Sequence, residues 1–237
     1  MWLHDLSIAY LLLGAMSLVV IAADEVRYPQ HMWIMNIVWP VTALFGTLWV
    51  LWQYFVYGRR AAHPAIHEAK QEDREPPDTT MTPFPIMVAN GALHCGSGCT
   101  LGDICAEWLV FAFPAIARAL GWHSLFADKL FAVWIFDYII AYVFGIVFQY
   151  FTIAPMRGLS AGPGLIAAIK ADTLSLTAWQ VGMYGWMAIA YFLIFRRQLS
   201  TATVDFWFMM QIAMLAGFAT AYPMNWWLIR RGIKQAM

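Results

Sequence analysis

The stretch Gly91-Ala-Leu-His94-Cys95-Gly-Ser-Gly-Cys99-Thr-Leu-Gly-Asp103 decides how this chain is read. It sits inside an apolar segment of membrane-spanning length. Within it lie an imidazole, two thiols, a carboxylate and the glycines Gly91, Gly96, Gly98 and Gly102. On a regular helix Cys95, Cys99, Asp103 and Glu107 fall at successive i,i+4 positions and line one face. Ionisable groups are costly in lipid and face a protein interior or a wet cavity there.

The composition agrees with a bilayer as solvent. Of 237 residues, 62% are hydrophobic and 12% charged, against about 25% charged in soluble domains. That leaves too little polar surface to cover a water-soluble globule. Net charge is zero, so no basic footprint points to nucleic acid. Thirteen Trp and ten Tyr suit interfacial belts. The three Cys, all in one apolar segment, do not make a secreted disulfide framework. The opening Met1-Trp-Leu-His-Asp lacks a basic signal-peptide region, and the run after it is long enough to remain as a span.

The expected fold is all-α: a single membrane domain over 1–237, a polytopic bundle of about six transmembrane helices. The spans are expected near 6–23, 33–56, 86–113, 130–152, 174–195 and 204–229, at about 20 residues per crossing. The expected location is a cell inner membrane, multi-pass. Residues 58–85 form the one hydrophilic stretch, expected to be a cytoplasmic linker. Its His63 and His67, at i,i+4, are read as a solvated pair. With both termini inside, the inside segments hold nine Lys/Arg and the outside ones five, the direction that the positive-inside rule prefers.

Polar faces continue on other spans. Pro40 is expected to kink the second, whose entrance carries Met32 and Met35, soft-ligand types that equally serve as gap fillers. Asp137, Ala141, Gly145 and Gln149 share one face of the fourth. Thr173, Thr177, Gln180, Tyr184 and Tyr191 trace one face of the fifth. Met210, Met214, Gly217, Ala221 and Asn225 share a side of the sixth. Small and polar faces of this kind belong against other helices.

Three readings of the cluster stand side by side. In the first, His94, Cys95 and Cys99 ligate a transition metal ion (Zn, Cu or Fe), with Asp103 or Asp137 as a fourth ligand or charge balance. Because His94 is turned about 100° from Cys95 on an ideal helix, that set converges only if the Gly-rich segment breaks. In the second, Cys95 and Cys99 cycle as a thiol–disulfide or quinone-linked redox pair, which again needs an unwound segment. In the third, the cysteines are small buried apolar groups and the glycines permit close helix packing, as in a structural subunit of a membrane complex or a homo-oligomer. The metal reading, with possible transport, leads, and an enzyme is the less expected outcome.

The motif His94-Cys95-Gly-Ser-Gly-Cys99-Thr-Leu-Gly102-Asp103, with Phe148-Gln-Tyr-Phe, Lys170-Ala-Asp172-Thr-Leu-Ser175 and Gly182-Met183-Tyr-Gly185-Trp186-Met187, resembles an uncharacterised bacterial membrane family, DUF4396. The resemblance runs from about residue 85 to the end. It implies a multi-helix integral membrane protein and supplies no activity or catalytic residues.

Overall fold

A computed structural model describes residues 2–236. The helices are α1 (Trp2–Arg27), α2 (Met35–Val56), α3 (His63–Gln71), α4 (Pro77–Thr80), α5 (Phe84–Ala112), α6 (Ala115–Ala119), α7 (Lys129–Arg157), α8 (Ala161–Ala188) and α9 (Val204–Arg230). A π-helical turn, Ile189–Ile194, prolongs α8. No strand is present among the described residues, only two isolated bridges. Among the described residues four helices, α1, α2, α7 and α9, are long and apolar enough by length and composition to cross a membrane, which marks the chain as a membrane protein.

The second of these is not a single rod. Within α2, Thr47 has φ 44° and ψ −123°, a conformation that a β-branched residue rarely adopts. There the helix doubles back. The rings of Trp39 and Tyr54 meet edge to face at 5.6 Å, although fifteen residues of straight helix would separate them by about 22 Å. Gln30 and Ala62, just outside the two ends of α2, form an antiparallel bridge, and His63 N–H donates to the Pro29 carbonyl at 2.7 Å. The expected crossing over 33–56 is therefore a hairpin of two half-helices, and the bend is at Thr47 rather than at Pro40. Its tip packs beside the middle of α1: the backbone of Leu44 abuts Gly14, and Tyr10 reaches Thr47 at 3.5 Å.

The helix ends define two ends of the bundle. At one, Ser7 near the start of α1 donates to Asp205 at the start of α9 (2.9 Å), and Thr201 donates to Glu107 near the end of α5 (2.8 Å). At the other, Tyr54 donates to Asp24 near the end of α1 (2.8 Å). There too Gln53 donates to Asn90 of α5 (2.7 Å), and Lys234, beyond α9, reaches Gly91 (2.8 Å). Both ends of the α2 hairpin lie at this Lys234 end. Helices α1, α5, α7, α8 and α9 each run from one end to the other.

Helix α5 is the centre. Residues Val88 to Thr100 are buried without interruption, because α2, α7, α8 and α9 surround it. It is continuous through the Gly-rich motif, so the break that a converging His94, Cys95 and Cys99 set requires is absent. Three of the motif's four glycines, Gly96, Gly98 and Gly102, instead admit a neighbour. A Cβ on Gly96 would strike the Trp179 ring, one on Gly98 would lie 3.1 Å from the Gly145 Cα, and one on Gly102 would lie 2.5 Å from the Ala141 Cα. Helices α7 and α8 are joined by hydroxyls: Tyr138 to Thr177 (2.9 Å) and Tyr142 to Thr173 (2.8 Å). Tyr184 adds a bond to the Trp134 carbonyl (2.8 Å). Helix α8 starts well before residue 174, and α5 stops at Phe113, which leaves the helical conformation just before Pro114.

Candidate functional site: a polar column along α5

The expected ligands are all buried, but they do not form one set. His94 faces α7. Its Nε2 lies 2.8 Å from the Thr152 Oγ1, which donates to the Phe148 carbonyl at 3.0 Å. A hydroxyl has one proton, so using both contacts leaves the His94 proton on Nε2 and a bare lone pair on Nδ1, which has no partner. Cys95 and Cys99 are free thiols one turn apart on a regular helix, where a disulfide closes only with backbone distortion.

Cys95 faces Asp172 of α8, as does Gln149 of α7. Neither closes a hydrogen bond of good geometry, and both Asp172 oxygens stay unpartnered. Gly145 makes room for this carboxylate: a Cβ there would occupy the position of Asp172 Oδ2. Lys234 completes this half. Its ammonium, 1% exposed, donates to Gly91 O (2.8 Å), Asn225 Oδ1 (2.7 Å) and Ser175 Oγ (3.5 Å). Burial pushes its pKa down, while Cys95, Asp172 and Cys99 push it up; burial wins.

The other half is acidic. Asp103 and Glu107 of α5 and Asp137 of α7 lie close enough for their charges to act on one another. Gln180 of α8 faces Asp103, but both Asp103 oxygens lack a well-formed bond. Lys170 of α8 is exposed. Two cavities flank the acids. One of about 160 Å³ is lined by Asp103 and Thr100 together with Leu44 and Phe45 from the hairpin tip. The other, about 180 Å³, is lined by Glu107, Lys129, Tyr191 and Thr201.

The two halves make one column. From Gly91 to Glu107 is sixteen residues of α5, about 24 Å of helix. Four buried carboxylates (Asp103, Glu107, Asp137 and Asp172) face one buried ammonium. Among the described residues no three His, Cys, Asp or Glu groups converge tightly enough to hold an ion. In this conformation the five expected residues are thus divided: His94 against α7, the thiols against Asp172, and Asp103 with Asp137.

Asp172, Glu107 and Lys234 were not among the expected site residues. Asp172 reads in sequence as a helix cap or an approach-helix residue. Lys234 follows Arg230-Arg231 and reads as one more flanking charge. Glu107 did carry a signal, the i,i+4 series from Cys95.

A helical membrane protein with an ionisable core is the class that these features define. The family follows from the chain itself: it belongs to the family described as domain of unknown function (DUF4396), whose model matches residues 86–234. The match begins two residues into α5 and ends at Lys234, so it holds the whole column and leaves α1 and the hairpin outside. No curated protein and no solved structure matches the chain.

Proposed function

We propose that this protein crosses the membrane five times, with α2 as a re-entrant hairpin, and that its core loads a transition-metal cation in exchange for protons, as a transporter would. The observation that supports this is the charge inventory of the column. Four carboxylates, set against the buried Lys234 and the half-buried Lys129 beside Glu107, cannot all be ionised in a low-dielectric core without further positive charge. Protons or a bound cation must supply it. The hairpin adds to the argument. Broken backbone at membrane depth is tolerated where it lines a cavity, and half-helix ends near the midplane are where transporters hold ions.

In this reading Cys95 and Cys99 each give up a proton on binding the ion. Asp172, which faces Cys95, is the further donor at hand, and Asp103, Glu107 and Asp137 accept and pass protons. The five-crossing arrangement puts ten Lys/Arg at the Lys234 end and four at the other. That is a stronger bias than the nine to five of six crossings, and it makes the Lys234 end cytoplasmic.

The test is elemental analysis of purified protein, with proton release followed in weak buffer as Zn(II) or Cu(I) is added. Stoichiometric metal that disappears in Cys95→Ser/Cys99→Ser, with protons released on binding, supports the reading. Equal retention in wild type and double variant removes the thiol site. The divided ligands favour a second reading, in which the proton is itself the ion carried. Proton uptake by reconstituted vesicles that survives loss of both thiols but not Asp103→Asn would select it.

A further inference from the structure

At the Lys234 end the structure holds a further cavity of about 350 Å³, apart from the column. Four of its fifteen lining residues are methionines, in a chain with 14 Met among 237 residues. They come from three separate places: Met32 and Met35 at the entrance of the hairpin, Met87 at the start of α5, and Met156 at the end of α7. His31 and Asp78 line the same wall. Gln30 lines it too, 2% exposed, with neither its amide oxygen nor its amide nitrogen partnered. Asp78 Oδ1 is likewise buried without a partner.

Methionines that only fill gaps pack against apolar side chains. These four instead border a space shared with an imidazole, a carboxylate and an unpartnered amide. Thioether and imidazole select soft ions such as Cu(I), whereas carboxylates and carbonyls alone suit harder ones. We infer that this cavity is a binding site for a soft monovalent metal ion, Cu(I) or its analogue Ag(I), held by thioethers from Met32, Met35, Met87 and Met156 with His31.

The position gives the site a use. Met156 lies one turn from Thr152, the hydroxyl bound to His94, and Met87 lies two turns before Cys95 on α5. The cavity therefore stands at the mouth of the column, as a vestibule where an ion waits before or after the thiols. That use rests on the metal reading of the core. The binding itself does not.

The experiment is Ag(I) titration of the purified full chain, with competition by a soft-metal chelator, on four proteins. These are wild type, Cys95→Ser/Cys99→Ser, Met32→Leu/Met35→Leu/Met87→Leu, and a variant with all three cysteines changed to Ser. Met-to-Leu swaps conserve volume and are well tolerated in cores. The thioether variant is expected to lose one Ag(I) equivalent, or at least 10-fold in affinity for it, while the Cys95/Cys99 variant keeps it. Unchanged Ag(I) binding in the thioether variant overturns the vestibule and leaves the core reading untouched. Loss in the Cys95/Cys99 variant alone does the same. Should the thioether variant fail to fold, X-ray absorption of Ag(I) on the cysteine-free protein decides: sulfur neighbours support the site, and nitrogen and oxygen neighbours only, or no bound Ag(I), overturn it.

Discussion

The ammonium of Lys234 donates to the carbonyl of Gly91 at 2.8 Å, so a charge from beyond the last helix is buried one turn from the first thiol of the central helix. The charge of the same ammonium acts on Asp172. Lys234→Met removes the positive charge that acts on that carboxylate through space, and it strips Gly91, Asn225 and Ser175 of their buried donor, at about 1–3 kcal/mol for each buried group left unsatisfied. The expected result is a thermal midpoint several degrees lower. Lys234→Met/Asp172→Asn should recover part of the loss. Thermal unfolding in detergent measures all four corners of this cycle, and a double variant no better than the sum of the singles would show that the two charges are uncoupled.

The hairpin makes a topological prediction. Five crossings put the N-terminus and C-terminus on opposite sides of the membrane, whereas six would put them on the same side. Tags at the two ends, tested for protease or label access in sealed vesicles of one orientation, should respond oppositely. Both tags reacting together would sink the re-entrant reading of α2.

Gly145 is a steric requirement of the column, because any Cβ there meets the Asp172 carboxylate. Gly145→Ala should destabilise by roughly 2 kcal/mol, the middle of the overpacking range. Gly162, near the start of α8, has nothing within 4 Å of its Cβ position. Gly162→Ala should be neutral or stabilising by up to about 1 kcal/mol, from helix propensity alone. Paired melts of the two variants test the contrast, and equal effects would contradict it.

Outside the bundle, Asp78 carries a pH signature. Burial raises its pKa above the usual carboxylate value, outweighing the backbone hydrogen bonds that lower it. A raised folded-state pKa means that the folded chain prefers the neutral acid. Its contribution is therefore favourable at low pH and lost as pH rises through the folded pKa. Asp78→Asn should accordingly raise the thermal midpoint at neutral pH. That advantage should shrink as pH falls toward about 4, the ordinary carboxylate range. A difference independent of pH would assign the effect to something other than ionisation.

The faces of the long helices were legible in sequence because they depend on spacing alone. Asp137, Ala141, Gly145 and Gln149 are all buried on α7, as are Met210, Met214, Gly217, Ala221 and Asn225 on α9. The i,i+4 series on α5 was legible for the same reason. The glycines were ambiguous: four in twelve residues fit a broken helix as well as a closely packed one. Only the neighbours Trp179, Gly145 and Ala141 decide for packing, since a missing Cβ lets a backbone or ring approach without any unwinding.

The sequence by itself determined that this chain lives in a membrane, where most of its long helices lie, and that a thiol and carboxylate face runs along the central one. Those properties follow from composition and periodicity, which need no knowledge of what packs where. The tertiary structure alone decided that the second apolar segment turns back at Thr47, because hydropathy counts residues and is blind to one backbone angle. It alone decided that His94 faces Thr152 rather than the thiols. And it brought Lys234 and Asp172, 62 residues apart, to the same buried column, a pairing that depends on how α8 and α9 close around α5.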